Sequence, residues 1–162
     1  MKPIKPLINL DELEFQSHEK GFFQAKFGEI GKKIGAKKLG YNLTIVPPGK
    51  KAWPFHNHHV NEEMFLIVEG NGLLRFGDKE YPLRKHDVLA APPGKRNVAH
   101  QIINTGNTDL TYLSLSTMER NEVCEYPDSN KVSISIGDDR KNPDLRHISK
   151  ADACIDYWDG EV

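Results

Sequence analysis

The sequence predicts an all-β fold, either a β-sandwich or a small barrel. Apolar residues come in short, strand-length runs, and clusters of Gly, Pro, Asn and Asp separate them at regular intervals. The 3.6-residue apolar repeat of an amphipathic helix finds little to match along the chain.

In chain order, residues 1–20 read as an arm. Pro3 and Pro6 block a regular start, and DELEFQSHEK is too polar to bury much. Strands are expected at 22–29, 40–46, 62–69, 72–76, 87–91, 98–104, 110–116 and 131–136. Turn chemistry sits between them at Pro47-Pro48-Gly49, Gly70-Asn71-Gly72, Gly77-Asp78, Pro92-Pro93-Gly94 and Asn104-Thr105-Gly106-Asn107. Near the end, Ser149 to Asp152 suits the cap of a short turn or helix running through Tyr157. One domain is expected in three parts: an arm and first strands (1–39), a core (40–116), and final strands with a tail (117–162).

Composition narrows the function. Lys+Arg total 22 and Asp+Glu 23, so no basic excess exists to neutralise phosphates, and a nucleic-acid role is not expected. No run of about 18 apolar residues suggests a membrane span, and MKPIKPLINLDELEF lacks a signal-peptide core, so a cytoplasmic protein is expected. Cys124 and Cys154 are not in a CxxC pair and read as free thiols.

The chemistry concentrates in HNHHVNEE and VAHQIIN. His56 and His58 lie two apart, so an extended segment projects both imidazoles to one side. Glu63 opens the next apolar run, and His100 lies in another expected strand. Closing a sheet into a barrel would bring these segments together around one interior. Three imidazoles and one carboxylate suit a single divalent transition metal, and the donor set accepts Zn, Mn, Fe or Ni alike.

Other residues carry weaker readings. His59 is expected beside the site or facing solvent, His18 and His147 on the surface, and Lys32, Lys33, Lys37 and Lys38 in a solvated loop. Lys95, Arg96 and Asn97 form a polar loop tip, and Arg75 would need a partner if it points inward. Cys124 shows no base beside it and receives no nucleophilic role. Trp158 is expected to pack the tail against the body. Candidates to orient the metal-binding imidazoles are Glu62, Asn57, Asn61 and Gln101.

These residues also resemble the two motifs of the cupins. Gly49, His56, His58, Glu63 and Gly70 follow the first motif with one extra residue in its first gap. His86, Pro92, Gly94, His100 and Asn104 follow the second, with His86 where glycine is usual and five residues rather than two between Gly94 and His100. Only Glu63, and not Glu62, is separated from the motif glycine Gly70 by six residues. The resemblance implies a jelly-roll-like β-barrel with one metal on His56, His58, Glu63 and His100. It also implies a homodimer built through sheet edges or an exchanged N-terminal segment. The function it implies is a metal-dependent, sugar-phosphate isomerase-like enzyme acting on a small polar or anionic metabolite. The alternatives are a non-catalytic, metal-dependent binding or sensing module and an iron-dependent dioxygenase.

Overall fold

The computed structural model describes residues 5–138 and 142–162, so Pro3 lies outside the described residues. Thirteen strands dominate it. They are β1 (Phe15–Lys20), β2 (Phe23–Glu29), β3 (Leu39–Val46), β4 (Asn57–His58), β5 (Glu63–Glu69), β6 (Asn71–Phe76) and β7 (Lys79–Arg84). There follow β8 (Val88–Ala91), β9 (His100–Ile103), β10 (Leu110–Thr117), β11 (Glu122–Tyr126), β12 (Lys131–Ile136) and β13 (Leu145–Lys150). Helical structure among the described residues is limited to three single 3₁₀ turns.

The strands form an antiparallel six-stranded sheet, β1-β2-β3-β10-β5-β8, a three-stranded sheet, β7-β6-β9, and a four-stranded sheet, β13-β12-β11-β4. The expected continuous closure is not observed. Isolated bridges join the sheets instead, at Phe23–Lys51–Ile103 and at His56–His100. The architecture is the jelly-roll-like, all-β one expected, with a seam where a closed barrel would carry a full ladder.

Alternation along the strands sets the core and the cavity together. On β10, Leu110 and Tyr112 are buried, and Ser114 and Ser116 continue the same face. On β3 the matching face runs from buried Val46 through Thr44 to Asn42. One end of each face is therefore apolar core and the other is polar wall. The core end packs Phe65, Ile67, Leu74, Leu83 and Ile102 against these residues.

Gly70 links β5 to β6 at φ +84°, and a Cβ there would meet the Asp109 carbonyl oxygen. Only glycine fits such a turn without moving the neighbouring backbone. His86 takes φ +74°, so the position where the motif expects glycine keeps a glycine-like backbone.

Several expectations need correction. The arm contains an edge strand, β1, paired along its whole length with β2. Leu13, 7% exposed, packs with Ile30 and Leu43 in a second apolar cluster. The cap expected at Ser149 is absent, because Ser149 lies within β13, and only turns follow it. Trp158 is 71% exposed and meets the Tyr157 ring edge-on rather than packing on the body. No helix among the described residues is long and apolar enough to cross a membrane.

Candidate metal centre

Three separate segments deliver the cluster. His56 and His58 flank Asn57 on the short segment containing β4, Glu63 begins β5, and His100 begins β9. Backbone hydrogen bonds in both directions between His56 and His100, at 3.2 and 2.7 Å, clamp the first segment to the third. Glu63 alternates with Phe65 and Ile67 on the inner face of β5, while Glu62 is exposed.

The side chains meet at one oxygen. Glu63 Oε2 lies 3.0 Å from His100 Nε2, 3.3 Å from His58 Nε2 and 3.8 Å from His56 Nε2. His56, His58 and Glu63 each place a donor atom within 4.8 Å of the others. The ring of His100 lies 4.7 Å from that of His56. The structure thus brings together all four residues singled out in the sequence.

The outer nitrogen of each ring faces an acceptor. His56 Nδ1 lies 2.8 Å from the Pro54 carbonyl, His100 Nδ1 3.4 Å from the Val98 carbonyl, and His58 Nδ1 3.2 Å from Glu122 Oε2. Carbonyls and carboxylates only accept, so each Nδ1 is placed to donate its proton; His100 Nε2 also donates to the Glu63 carboxylate at 3.0 Å, and a cation in the place of that proton would meet inward Nε2 lone pairs. His58 Nε2 is buried with no well-formed hydrogen bond, although it stands close to Glu63. Inward lone pairs, one carboxylate oxygen between them and one orphaned buried nitrogen are what a divalent cation would satisfy.

Electrostatics set the imidazoles apart. Burial, with the neighbouring His100, lowers the His56 imidazole to about 4 and keeps it a neutral donor. Burial opposes charge on His58, but hydrogen bonds with Cys124 and Glu122 outweigh it and push the imidazole up. Burial also opposes the Glu63 carboxylate, yet the hydrogen bond with His100 and the close His58 ring hold it well below the ordinary carboxylate range. The cluster favours a positive charge among its nitrogens, whether carried by a proton or by a metal.

Glu122 was not singled out in the sequence. It accepts from the backbone N–H groups of Val60, Asn61 and Val123, at 3.1, 2.9 and 2.9 Å, and from the Asn61 carboxamide, besides His58. Of the four candidates expected to orient the imidazoles, none binds a ring directly. Asn61 supports Glu122, Asn57 donates to the Gly94 carbonyl, Gln101 donates to the Trp53 carbonyl, and Glu62 is exposed.

The reading of Cys124 also changes, because its Sγ lies 3.2 Å from His58 Nδ1, its cross-strand partner. His59 pairs with Glu125 at 2.7 Å, outside the cluster, and Arg96 is tied to the same carboxylate at 2.6 Å. Arg75 finds the partner it needs in Asp128, at 2.8 Å. His18 is half-buried rather than superficial, stacked on Trp53 and bonded to the Ala52 carbonyl.

The cluster opens into a cavity of about 420 Å³. Phe27, Trp53, Phe65 and Ile102 form its apolar walls, and Asn42, Thr44, Tyr112, Ser114 and Ser116 its polar wall. Burial pushes the Tyr112 phenol above its ordinary value, so it serves as a hydrogen-bond donor. Such a cavity accepts one small, oxygen-bearing molecule.

Comparison with known proteins agrees with this architecture. Residues 42–116 match the cupin domain model. An uncharacterized protein of Methanocaldococcus jannaschii is 36% identical over 84 residues, 52% of this chain and 57% of that protein. The oxalate-binding protein of Thermotoga maritima is 34% identical over 70 residues, 43% of this chain and 54% of that protein. The chain thus spans little more than half the length of these curated relatives. Among solved structures, a sugar phosphate isomerase of the cupin superfamily from Silicibacter pomeroyi superposes with a TM-score of 0.79 at 22% identity, covering 91% of this chain and 94% of that one.

Proposed function

We propose that this chain, which carries a cupin domain, holds one divalent transition metal on His56, His58, Glu63 and His100 and uses it to bind and transform a small polar metabolite. The observation that carries this reading is the convergence of three Nε2 atoms on one Glu63 oxygen, each ring held from behind by an acceptor. A metal bound there would supply Lewis acidity toward a carbonyl or a pair of adjacent oxygens. The neighbour from Silicibacter pomeroyi suggests an aldose–ketose type of proton transfer, an analogy of fold.

The chain's own residues bind and orient the metabolite. Tyr112 donates a hydrogen bond within the cavity, Asn42, Thr44, Ser114 and Ser116 offer further polar contacts, and Phe27 and Trp53 exclude water along one wall. The second reading, a non-catalytic binding module, draws on a specific observation. Among the described residues, every imidazole and carboxylate lining the cavity belongs to the proposed metal set, and Tyr112, the remaining titratable lining group, is held protonated. A proton transfer would then need a metal ligand or the substrate itself as base.

Two measurements test these readings. Elemental analysis of protein purified without added metal should find about one divalent ion per chain, and less than a tenth of that would defeat the proposal. Metal-loaded protein should then interconvert an aldose and its ketose, whereas tight binding with no product would favour the module. We also propose a homodimer paired along the uncovered edge of β1, which light scattering would report as twice the 18.4 kDa chain mass.

A further inference from the structure

We propose that the ligand of this cavity is an unphosphorylated polyhydroxy compound, a free sugar or a sugar acid, read by the polar ladder of β3 and β10 opposite Trp53. This rests on the metal reading above and adds the substrate class to it.

The ladder begins at the cluster itself. Ser116 stands directly opposite Glu63, and Ser114 opposite Phe65, across the β10–β5 pair. On the other side of β10, Asn42 stands opposite Ser114, and Thr44 opposite Tyr112. Alternate residues on a strand are about 7 Å apart and neighbouring strands about 4.8 Å apart. The patch therefore matches one five- or six-carbon unit whose first oxygens lie at the imidazoles.

Its chemistry is neutral. Asn42 offers both a donor and an acceptor, and no side-chain hydrogen bond among the described residues occupies its carboxamide. Thr44 and Ser114 hydroxyls face each other at a long 3.4 Å, and Thr44 also meets the Tyr112 phenol, so Ser114 keeps the greater capacity for a ligand hydroxyl. Across the cavity, Trp53 and Phe27 lie 6.0 Å apart, and Trp53 is 43% exposed at the mouth. A hydroxyl-bearing edge against the ladder and a C–H face against the indole describe a sugar.

A phosphate has no partner here. Among the described residues lining the cavity none is Lys or Arg, and with the imidazoles on a metal the one charged side chain is the Glu63 carboxylate. Burying a phosphate dianion without a cation is strongly unfavourable. One bound divalent ion beside Glu63 leaves a local charge of about +1, enough for a single carboxylate. Lys32 and Lys37 belong to an adjoining pocket that shares Asn42 and Ser116 with the cavity, and Lys32 is already paired with Glu29 at 3.6 Å.

The experiment uses the full chain with Trp158→Phe, so that Trp53 is the single fluorophore of its kind, loaded with metal and checked by elemental analysis. The probes are D-fructose and D-gluconate against fructose 6-phosphate and 6-phosphogluconate, followed by Trp53 fluorescence and calorimetry. We expect at least one unphosphorylated probe to bind and its phosphate ester to bind at least tenfold more weakly. Asn42→Ala and Ser114→Ala should each weaken binding several-fold without changing metal content. Equal or tighter binding of the phosphate esters overturns the proposal, and loss of that preference in Lys37→Gln would locate the phosphate in the adjoining pocket. Indifference of sugar binding to both ladder substitutions overturns it as well. So does metal-loaded protein that binds none of the probes, whereas protein that takes up no metal defeats the earlier reading instead.

Discussion

Replacing Glu122 by Gln should both destabilise the fold and loosen the metal site. The carboxylate is 7% exposed and receives four N–H donors from the chain besides the His58 ring. Val60 and Val123 address one oxygen, while Asn61 and His58 address the other. A carboxamide can turn its oxygen to one group only, so at least two N–H donors then face an NH₂. Each stranded buried donor costs roughly 1–3 kcal/mol, for a total of about 2–6 kcal/mol. The ionisation gives a second figure from the same hydrogen bonds. The ordinary value of 4.5 falls to about 2, against the cost of burial, through hydrogen bonds with His58 and Asn61. That difference amounts to about 3 kcal/mol. Because folding lowers this pKa, the contribution is whole above about pH 4.5 and is lost as the pH falls toward 2.

The two figures overlap near 3 kcal/mol, which for a chain of this length lowers Tm by about 6–12 °C. Where the carboxamide turns its oxygen to Val60 and Val123, His58 also loses the acceptor that aims its ring, which typically weakens metal affinity by about 10–100-fold. Thermal unfolding in chelator isolates the first effect, and a zinc titration measures the second. A Gln variant that melts within about 2 °C of the parent and binds zinc equally well would refute the reasoning.

Three further outcomes are expected. His56→Ala or His100→Ala should sharply lower metal content while the far-UV circular dichroism keeps its β signature, and stoichiometric metal in both variants would remove them as ligands. Glu63→Gln should cost far more metal affinity than Glu62→Gln, because Glu62 is exposed, and the reverse order in a competition assay would show that the wrong acid was chosen. His86→Gly should raise stability by about 1 kcal/mol in denaturant titration, since relief of the φ +74° backbone outweighs the entropy that glycine adds to the unfolded chain.

The sequence made the inner strands legible because their burial is two-sided or cleanly alternating. Phe65 and Ile67 on β5 and Leu110 and Tyr112 on β10 are buried on one face, and the apolar runs around them are long enough to read. β1, β7 and β13 were missed for the opposite reason. FQSHEK, KEYPLR and LRHISK are largely exposed at sheet edges, so no periodic burial marks them. The His-x-His pair, Glu63 and His100 were legible because spacing within a strand and position in a motif survive in one dimension. Glu122 and Cys124 did not survive, since they meet His58 from 64 and 66 residues away. Nothing local to EVCEYPDS announces that its acid lies behind an imidazole.

The seam between the sheets has a mechanical consequence. Where a closed barrel would be stitched by a full ladder, His56 and His100 join the four- and three-stranded sheets by one reciprocal pair of amide bonds, and their rings meet over the same carboxylate. Parting the two sheets and dismantling the donor set are therefore one event. An occupant that ties those rings together rivets the wall shut, and amide exchange at these two positions should slow in step with occupancy, making the hinge its own gauge.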